Sequence, residues 1–269
     1  MTASLRAAAS ILFLVTVPCA DAQWLNYPTA GLPRTASGAP DIDAAPQRRA
    51  DGKLDVSGIW QADPGARGIV GGVGGVLRSP YFLDVTGDID PKEAPLQPWA
   101  REEYERRRAR NSMDDPTARC QPTGVPALNT TPIPFKLVQL PELVVILFEK
   151  DVDYRQIFMD GRSLPNDPNP SFMGYSVGRW EGDTLVVESS GFNETTWLDR
   201  FGHPHTQAMK LTERFRRLTI GRMELEMTID DPGALTAPIT FTQSLVLMPD
   251  TELLEHYCIE NERSSQHFE

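Results

Sequence analysis

The feature that most constrains the fold is a series of short apolar runs, separated by polar connectors, in the second half of this 269-residue chain. Alternation is clearest near its end, where Met223, Leu225, Met227 and Ile229 share one face and the intervening residues are polar. A period of two is typical of an antiparallel strand with one buried face and one face in water. The region is therefore predicted to be a β-sheet.

These runs are predicted to be consecutive strands covering residues 137–140, 143–149, 154–160, 175–180, 184–189, 209–218, 223–230, 239–248 and 253–259. A shorter candidate, Val56–Gln61, lies upstream. Most connectors are short and favour antiparallel neighbours, because a parallel crossover requires about a dozen residues or more. The predicted fold class is all-β, an antiparallel meander that closes into a barrel and so hides its edges. A barrel of this size can hold one small ligand.

The N-terminal residues 1–22 have the features of a signal peptide. Arg6 precedes the apolar run Ile11–Val17, and Ala20-Asp21-Ala22 matches a cleavage site. The run is too short for a permanent membrane span, so we expect no membrane anchor. The protein is predicted to be periplasmic or secreted.

The mature chain is predicted to have two parts. Residues 23–55 are rich in proline and glycine and read as an extended arm, and residues 56–269 form a single barrel domain. One short helix is predicted as an insertion near 98–111, because Pro98 stands at its start, glutamates come early and arginines come late. That order complements the helix dipole.

Charge and cysteine content narrow the function classes. The net charge of −11 argues against nucleic acid or anionic lipid as partners. Removal of the signal peptide takes away Cys19 and leaves Cys120 and Cys258. In an oxidising compartment these two are expected to form a disulfide. The sequence lacks the common cofactor motifs, so no cofactor is expected.

Several motifs together resemble a family of uncharacterised exported bacterial proteins: SGIW from Ser57, the DPxxxC stretch ending at Cys120, GRWEGDTLVVESSGFN, WLDRFGHPHT, LTERFRR and the final CIEN. The resemblance covers most of the mature chain and implies one exported domain, but it brings no established reaction. At the level of fold, the meander is similar to calycin-like barrels, the lipocalin group, whose first-strand signature is matched by Gly58-Ile59-Trp60. Barrels of that kind include both binders and enzymes.

The clearest candidates for chemistry lie between two predicted strands. His203 and His205 are two residues apart, so in an extended segment their side chains point the same way. With Asp199 or Glu213 they could form a two-histidine, one-carboxylate metal site. Metal-free acid/base chemistry or ligand contact is the second interpretation, and an ordinary polar loop is the third. Our site prediction includes no metal.

Glu213 stands between Leu211 and Phe215 on the apolar face of a predicted strand. A carboxylate inside the barrel would suit general acid/base work, because desolvation raises its pKa. The alternative is a buried ion pair with Arg155 or Arg179 from nearby strands. Both interpretations stay open at this point.

Further polar and aromatic residues are predicted to contact a ligand: Tyr154, Arg155, Tyr175, Trp180, Trp197 and Gln243. Gln243 interrupts an apolar row, and the two tyrosines could add hydroxyl groups to the same interior. A few polar groups in an apolar cavity are typical of small-molecule sites and equally of a satisfied core.

The sequence thus predicts an exported barrel that acts on a small, partly apolar molecule by cofactor-independent acid/base chemistry, as a lyase, isomerase or hydrolase. Asp199, His203, His205 and Glu213 would be the catalytic groups. The alternatives are a non-catalytic carrier or sensor of such a molecule, and a scaffold protein of the cell envelope.

Overall fold

The computed structural model describes residues 27–63, 82–87, 89–90 and 92–258. The predicted signal peptide lies outside these residues. The described chain forms nine strands: β1 Gly58–Ala62, β2 Phe135–Gln139, β3 Leu143–Phe148, β4 Tyr154–Phe158, β5 Tyr175–Glu181, β6 Thr184–Ser190, β7 Lys210–Arg217, β8 Arg222–Asp230 and β9 Ile239–Leu247. They form a closed barrel in chain order. The predicted all-β barrel is confirmed.

The barrel closes differently from the prediction. The upstream candidate becomes β1, which pairs antiparallel with both β2 and β9. The strand predicted at residues 253–259 is wrong for residues 253–258, which form no strand. Backbone N–H groups of this tail are taken by carboxylates: Leu254 donates to Glu149 and Cys258 to Asp151.

One junction departs from the predicted antiparallel meander. Strands β4 and β5 are parallel and share only two residue pairs, Ile157 with Ser176 and Phe158 with Val177. The chain reaches this arrangement through the connector of residues 159–174, which is long enough for a crossover. Gly178 lets the two strands approach, because a Cβ there would collide with the side chains of Ile157 and Met159.

Apolar side chains fill most of the barrel interior. The buried set includes Trp60, Phe135, Leu137, Val144, Ile146, Ile157, Leu185, Val187, Leu211, Phe215, Leu225, Met227 and Phe241. Burial alternates along β8 with the predicted period of two. Burial of these side chains supplies the hydrophobic stabilisation, at about 25 cal/mol per Å² of apolar surface.

A short buried segment, residues 123–131, packs against the core and reaches the barrel interior through Asn129; we call it the plug. It contains the 3₁₀ helix Ala127–Thr130, and every residue in it is buried. Helix α1, Pro98–Ala109, agrees with the predicted helix except that it ends two residues earlier, before Asn111 and Ser112 turn the chain with positive φ. Ala100 is its fully buried residue.

The described part of the predicted arm, residues 27–55, contains no helix or strand. It is attached to the barrel by ion pairs from Arg34 to Asp250 and from Arg48 to Asp183. The predicted disulfide is present between Cys120 and Cys258, with the Cα atoms 5.4 Å apart. None of the helices in the described part of the chain is long and apolar enough to span a membrane.

Candidate functional site

Glu213 lies inside the barrel and is fully buried, as the alternation along β7 predicts. Its partner is Arg155 of β4, whose side chain is also fully buried. Arg155 Nη1 donates to Glu213 Oε1 at 3.0 Å, and Nη2 donates to Glu213 Oε2. The second predicted partner, Arg179, instead pairs with Glu181 and Glu188 on the barrel surface.

Three further side chains complete the hydrogen bonding of this ion pair. Arg155 donates to Ser176 Oγ at 3.0 Å and to Ser189 Oγ at 2.8 Å. Asn129 of the plug donates to Glu213 Oε1 at 2.7 Å. A buried charge pair is tolerated when its remaining donors and acceptors are satisfied in this way. The geometry therefore favours the ion-pair interpretation of Glu213 over the acid/base interpretation.

Asp199 and His203 form a second buried pair, in the loop between β6 and β7. Asp199 Oδ1 accepts the backbone N–H groups of Phe201 and Gly202, and Oδ2 accepts that of Val85. Oδ2 also lies 2.7 Å from His203 Nδ1. The backbone donors thus fix the Asp199 carboxylate, which in turn holds the Nδ1 edge of the imidazole.

The other side of His203 is enclosed as well. Its Nε2 atom lies 3.2 Å from the hydroxyl of Thr86, which also contacts Asp84 Oδ1 at 2.9 Å. The ring of Tyr104, from helix α1, stacks on the imidazole at a centroid distance of 4.0 Å. Since none of His203 is exposed, both ring nitrogens are committed within the protein.

The two groups shift each other's pKa. Burial alone would raise the pKa of Asp199, but the charge and hydrogen bond of His203, with the backbone donors, lower it. Burial alone would lower the pKa of His203, but the negative charge of Asp199, its hydrogen bond and Asp84 together raise it. Both pKa shifts favour the charged form of the pair, a carboxylate beside an imidazolium, over the neutral form.

His205 does not join this pair. Its Nε2 atom lies 2.7 Å from Thr196 Oγ1, and its Nδ1 atom lies 3.1 Å from the Thr206 carbonyl. Burial lowers the pKa of His205, so the ring is neutral at neutral pH. The alternative with two histidines on one metal, which our site prediction did not include, is therefore not formed.

One group in the described part of the chain has metal-ligand spacing: Asp84, Asp199 and His203. The atoms that could bind a metal already take part in hydrogen bonds. Asp199 and Asp84 each accept a backbone N–H, from Val85 and Thr86, and Asp199 also contacts His203. These hydrogen bonds link the three residues into one internal network.

The predicted ligand contacts do not converge on one cavity. Tyr154 is 61% exposed on the barrel exterior, because its neighbour Arg155 takes the inward position. The Tyr175 hydroxyl accepts a hydrogen bond from Arg162 outside the barrel. Trp180 packs at the core edge near Lys53.

The two remaining predicted contacts are buried. Trp197 lies under the guanidinium of Arg107 at 4.6 Å. Gln243 is inside the barrel as predicted and donates to the Ser244 carbonyl at 2.6 Å. Neither residue lines the larger groove described next.

Open space of ligand size occurs elsewhere, in a groove of about 520 Å³ on the outside of β6 and β7. One wall is the connector between β4 and β5, which contributes residues 164–168 and Pro170. The opposite side is formed by residues 207–209, which precede β7. Glu188, Ser190, Lys210 and Thr212 line the space between them. We call this space the groove.

The wall contributed by the connector is held against the loop after β6 by close packing and backbone hydrogen bonds. Gly191 has a φ of +74°, and a Cβ there would lie 2.5 Å from Pro168. Ser171 donates its backbone N–H to the Gly191 carbonyl at 2.9 Å, and Asn193 donates to the Ser171 carbonyl at 3.0 Å. Prolines at positions 165, 168 and 170 fix φ along the wall.

Sequence reasoning missed the groove. One signal was present, because the connector of residues 159–174 is long for a meander and long connectors are often functional. The partners of the two buried pairs, Asn129, Thr86 and Tyr104, come from segments that are distant in sequence, and no motif links them to Glu213 or His203. Thr196, the partner of His205, lies nine residues from it in the same loop.

Comparison of the chain with protein-family models, with curated proteins and with solved structures returns no match. The site is therefore interpreted from its own geometry.

Proposed function

We propose that this protein is a small-molecule carrier or sensor that binds its ligand in the groove. The observation that carries the proposal is the groove itself, whose volume lies within the range of roughly 300–1,000 Å³ typical of ligand sites. Its wall is held by prolines and by backbone hydrogen bonds, so little conformational entropy is lost when a ligand binds.

The state of the predicted catalytic groups supports a binder over an enzyme. Glu213 is paired with Arg155 and accepts a hydrogen bond from Asn129. His203 is enclosed by Asp199, Thr86 and Tyr104. His205 is hydrogen-bonded to Thr196. A general base needs hydrogen-bond reach to a substrate proton. The polar atoms of these groups are hydrogen-bonded to other protein groups and do not face a substrate site.

The test is to fill the groove with a bulky side chain. Thr212→Trp places an indole within it, and Thr242→Trp is the matched control on the exposed outer face of β9, outside the groove. We expect compounds from a small-molecule library to raise the Tm of the wild type and of the control but not of Thr212→Trp. Equal binding to Thr212→Trp would contradict the proposal.

The second candidate is the acid/base enzyme, and one observation favours it. Asp199, His203 and Thr86 follow one another as carboxylate, imidazole and hydroxyl, the residue order of a nucleophilic triad, and the Thr86 hydroxyl would have to turn from Asp84, to which it donates, toward His203. This enzyme would have to expose His203 to substrate. His203→Gln would then abolish turnover while binding in the groove stayed unchanged, whereas a carrier shows no turnover to lose.

We further propose that the protein is exported and belongs with the exported bacterial family and the calycin-like barrels that its motifs resemble. The motifs and the pattern of residues 1–22 support this. N-terminal sequencing of the mature protein from fractionated cells tests it: a chain that begins near Gln23 is expected, and a cytoplasmic chain that retains Met1 would contradict it.

A further inference from the structure

The groove carries charges of both signs. Lys210, at the start of β7, is exposed, and Asp167, on the connector wall, is exposed as well. Within the described part of the chain, neither is at ion-pair distance from an opposite charge; Asp230 lies opposite Lys210 on β8 without pairing. The third charge, Glu188, is already paired with Arg179.

We propose that the groove binds short peptides with free termini, the carboxylate at Lys210 and the ammonium group at Asp167. This inference rests on the proposed function of the groove. One cation and one anion, each without an ion-pair partner among the described residues, complement a ligand that carries both charges.

The rest of the lining suits a peptide. Asn166, Ser190 and Thr212 offer amide and hydroxyl groups that can bond peptide N–H and C=O groups. The three prolines of the wall and Leu164 offer apolar surface for side chains. At about 520 Å³ the groove has room for several residues, whereas a single amino acid would leave much of it unfilled.

Other ligand classes fit less well. A phosphate-bearing ligand would meet one lysine and two carboxylates, which is unfavourable in charge. A sugar would find no aromatic face among the lining residues, because Phe192 is completely buried.

The experiment uses the full mature protein and a random library of dipeptides and tripeptides in three forms: free, C-terminally amidated and N-terminally acetylated. Retention of each form is measured by ultrafiltration and mass spectrometry. We expect the free library to be retained about two- to fivefold better than either blocked form, the usual worth of an exposed ion pair. The difference should shrink as salt increases.

Variants of Lys210 and Asp167 test which peptide terminus each of these residues binds. Lys210→Met should bind free and amidated peptides equally, and Asp167→Asn should bind free and acetylated peptides equally, because each variant lacks the group that distinguishes them. Lys92→Met and Asp43→Asn remove exposed charges outside the groove and should keep the full preference.

The outcomes separate this inference from the function on which it rests. Equal retention of all three forms, or a preference that survives both groove variants, would overturn the peptide assignment. If no peptide is retained but other small molecules bind in a way that Thr212→Trp blocks, the groove remains a binding site and the peptide assignment fails. If nothing binds there, both proposals fail.

Discussion

Glu213 and Arg155 neutralise each other inside the barrel, so the loss of one leaves the other as an uncompensated buried charge. We expect Glu213→Gln to lower the free energy of unfolding by roughly 3–5 kcal/mol. Denaturant unfolding followed by circular dichroism measures it. Groove binding by the folded protein should stay near wild type.

Two further variants serve as controls for this prediction. Arg155→Met combined with Glu213→Leu removes both charges and should recover part of the lost stability, because an apolar pair avoids the desolvation cost while the buried Asn129 amide loses its acceptor. Arg179→Met breaks surface ion pairs and should cost under about 1 kcal/mol. A Glu213→Gln protein as stable as wild type would show that the pair is not a structural contact.

His203 gives the protein a stability that depends on pH. Because its pKa is raised in the folded state, its contribution is complete below about pH 6.5, its unfolded value, and is lost as the pH rises through the folded pKa. We expect the free energy of unfolding of His203→Gln to vary less with pH on the alkaline side. The matched control is His256→Gln, at an exposed histidine.

The Asp199–His203 pair also makes the stability depend on pH in acid, where Asp199 is the group that titrates. Asp199 has a lowered pKa, so its contribution is present above about pH 3.8 and is lost as the pH falls through the folded value. Asp199→Asn should therefore reduce the acid dependence as well as the alkaline dependence. Identical pH profiles for wild type and His203→Gln would rule out this account.

At the scale of elements, the turn between β3 and β4 stores local strain. Asp151 and Val152 both have positive φ, 59° and 54°, a conformation that costs an L-residue about 1–2 kcal/mol and suits a β-branched residue least. Val152 is 45% exposed, so little burial is lost when it is replaced. We expect Val152→Gly to stabilise the protein by about 0.5–1 kcal/mol after the entropy of glycine is counted.

The same substitution on a regular strand is the control. Val138 lies on β2 with extended geometry, and Val138→Gly should destabilise by about 1 kcal/mol. Thermal unfolding of both variants distinguishes them. If Val152→Gly were as destabilising as Val138→Gly, the turn would not be strained.

Elements with strong alternation could be predicted from sequence, and β2 to β9 start and end within about two residues of the predicted bounds. The tail at 253–259 resembled a strand because it is rich in apolar residues. Residues 253–258 form no strand, because Glu149, Asp151 and the disulfide hold them instead. The inward direction of Glu213 and Gln243 followed from the same period.

At the scale of the whole molecule, the disulfide joins residues separated by 138 positions. In the chain-entropy model, a closed loop of this size is worth about 4–5 kcal/mol. The double variant Cys120→Ser, Cys258→Ser should lose stability of this order, measured by denaturant unfolding. Addition of reductant should lower the stability of wild type to that of the variant, and no difference between them in the absence of reductant would contradict the prediction.

The candidate site was less predictable than the fold. Contacts such as Asn129 with Glu213, or Thr86 with His203, join positions 84 and 117 residues apart, and no local pattern encodes them. The groove depends on how a connector lies against the outside of the sheet, which period and propensity do not specify.

The parallel junction of β4 and β5 has two residue pairs, whereas β8 and β9 share eight. The barrel should therefore open locally at the β4–β5 junction first, and amides there should exchange with solvent sooner than those of β8. The connector that crosses the junction is also the groove wall. A ligand bound in the groove would therefore slow amide exchange at the β4–β5 junction, and that change in exchange rate would report occupancy without any domain having to move.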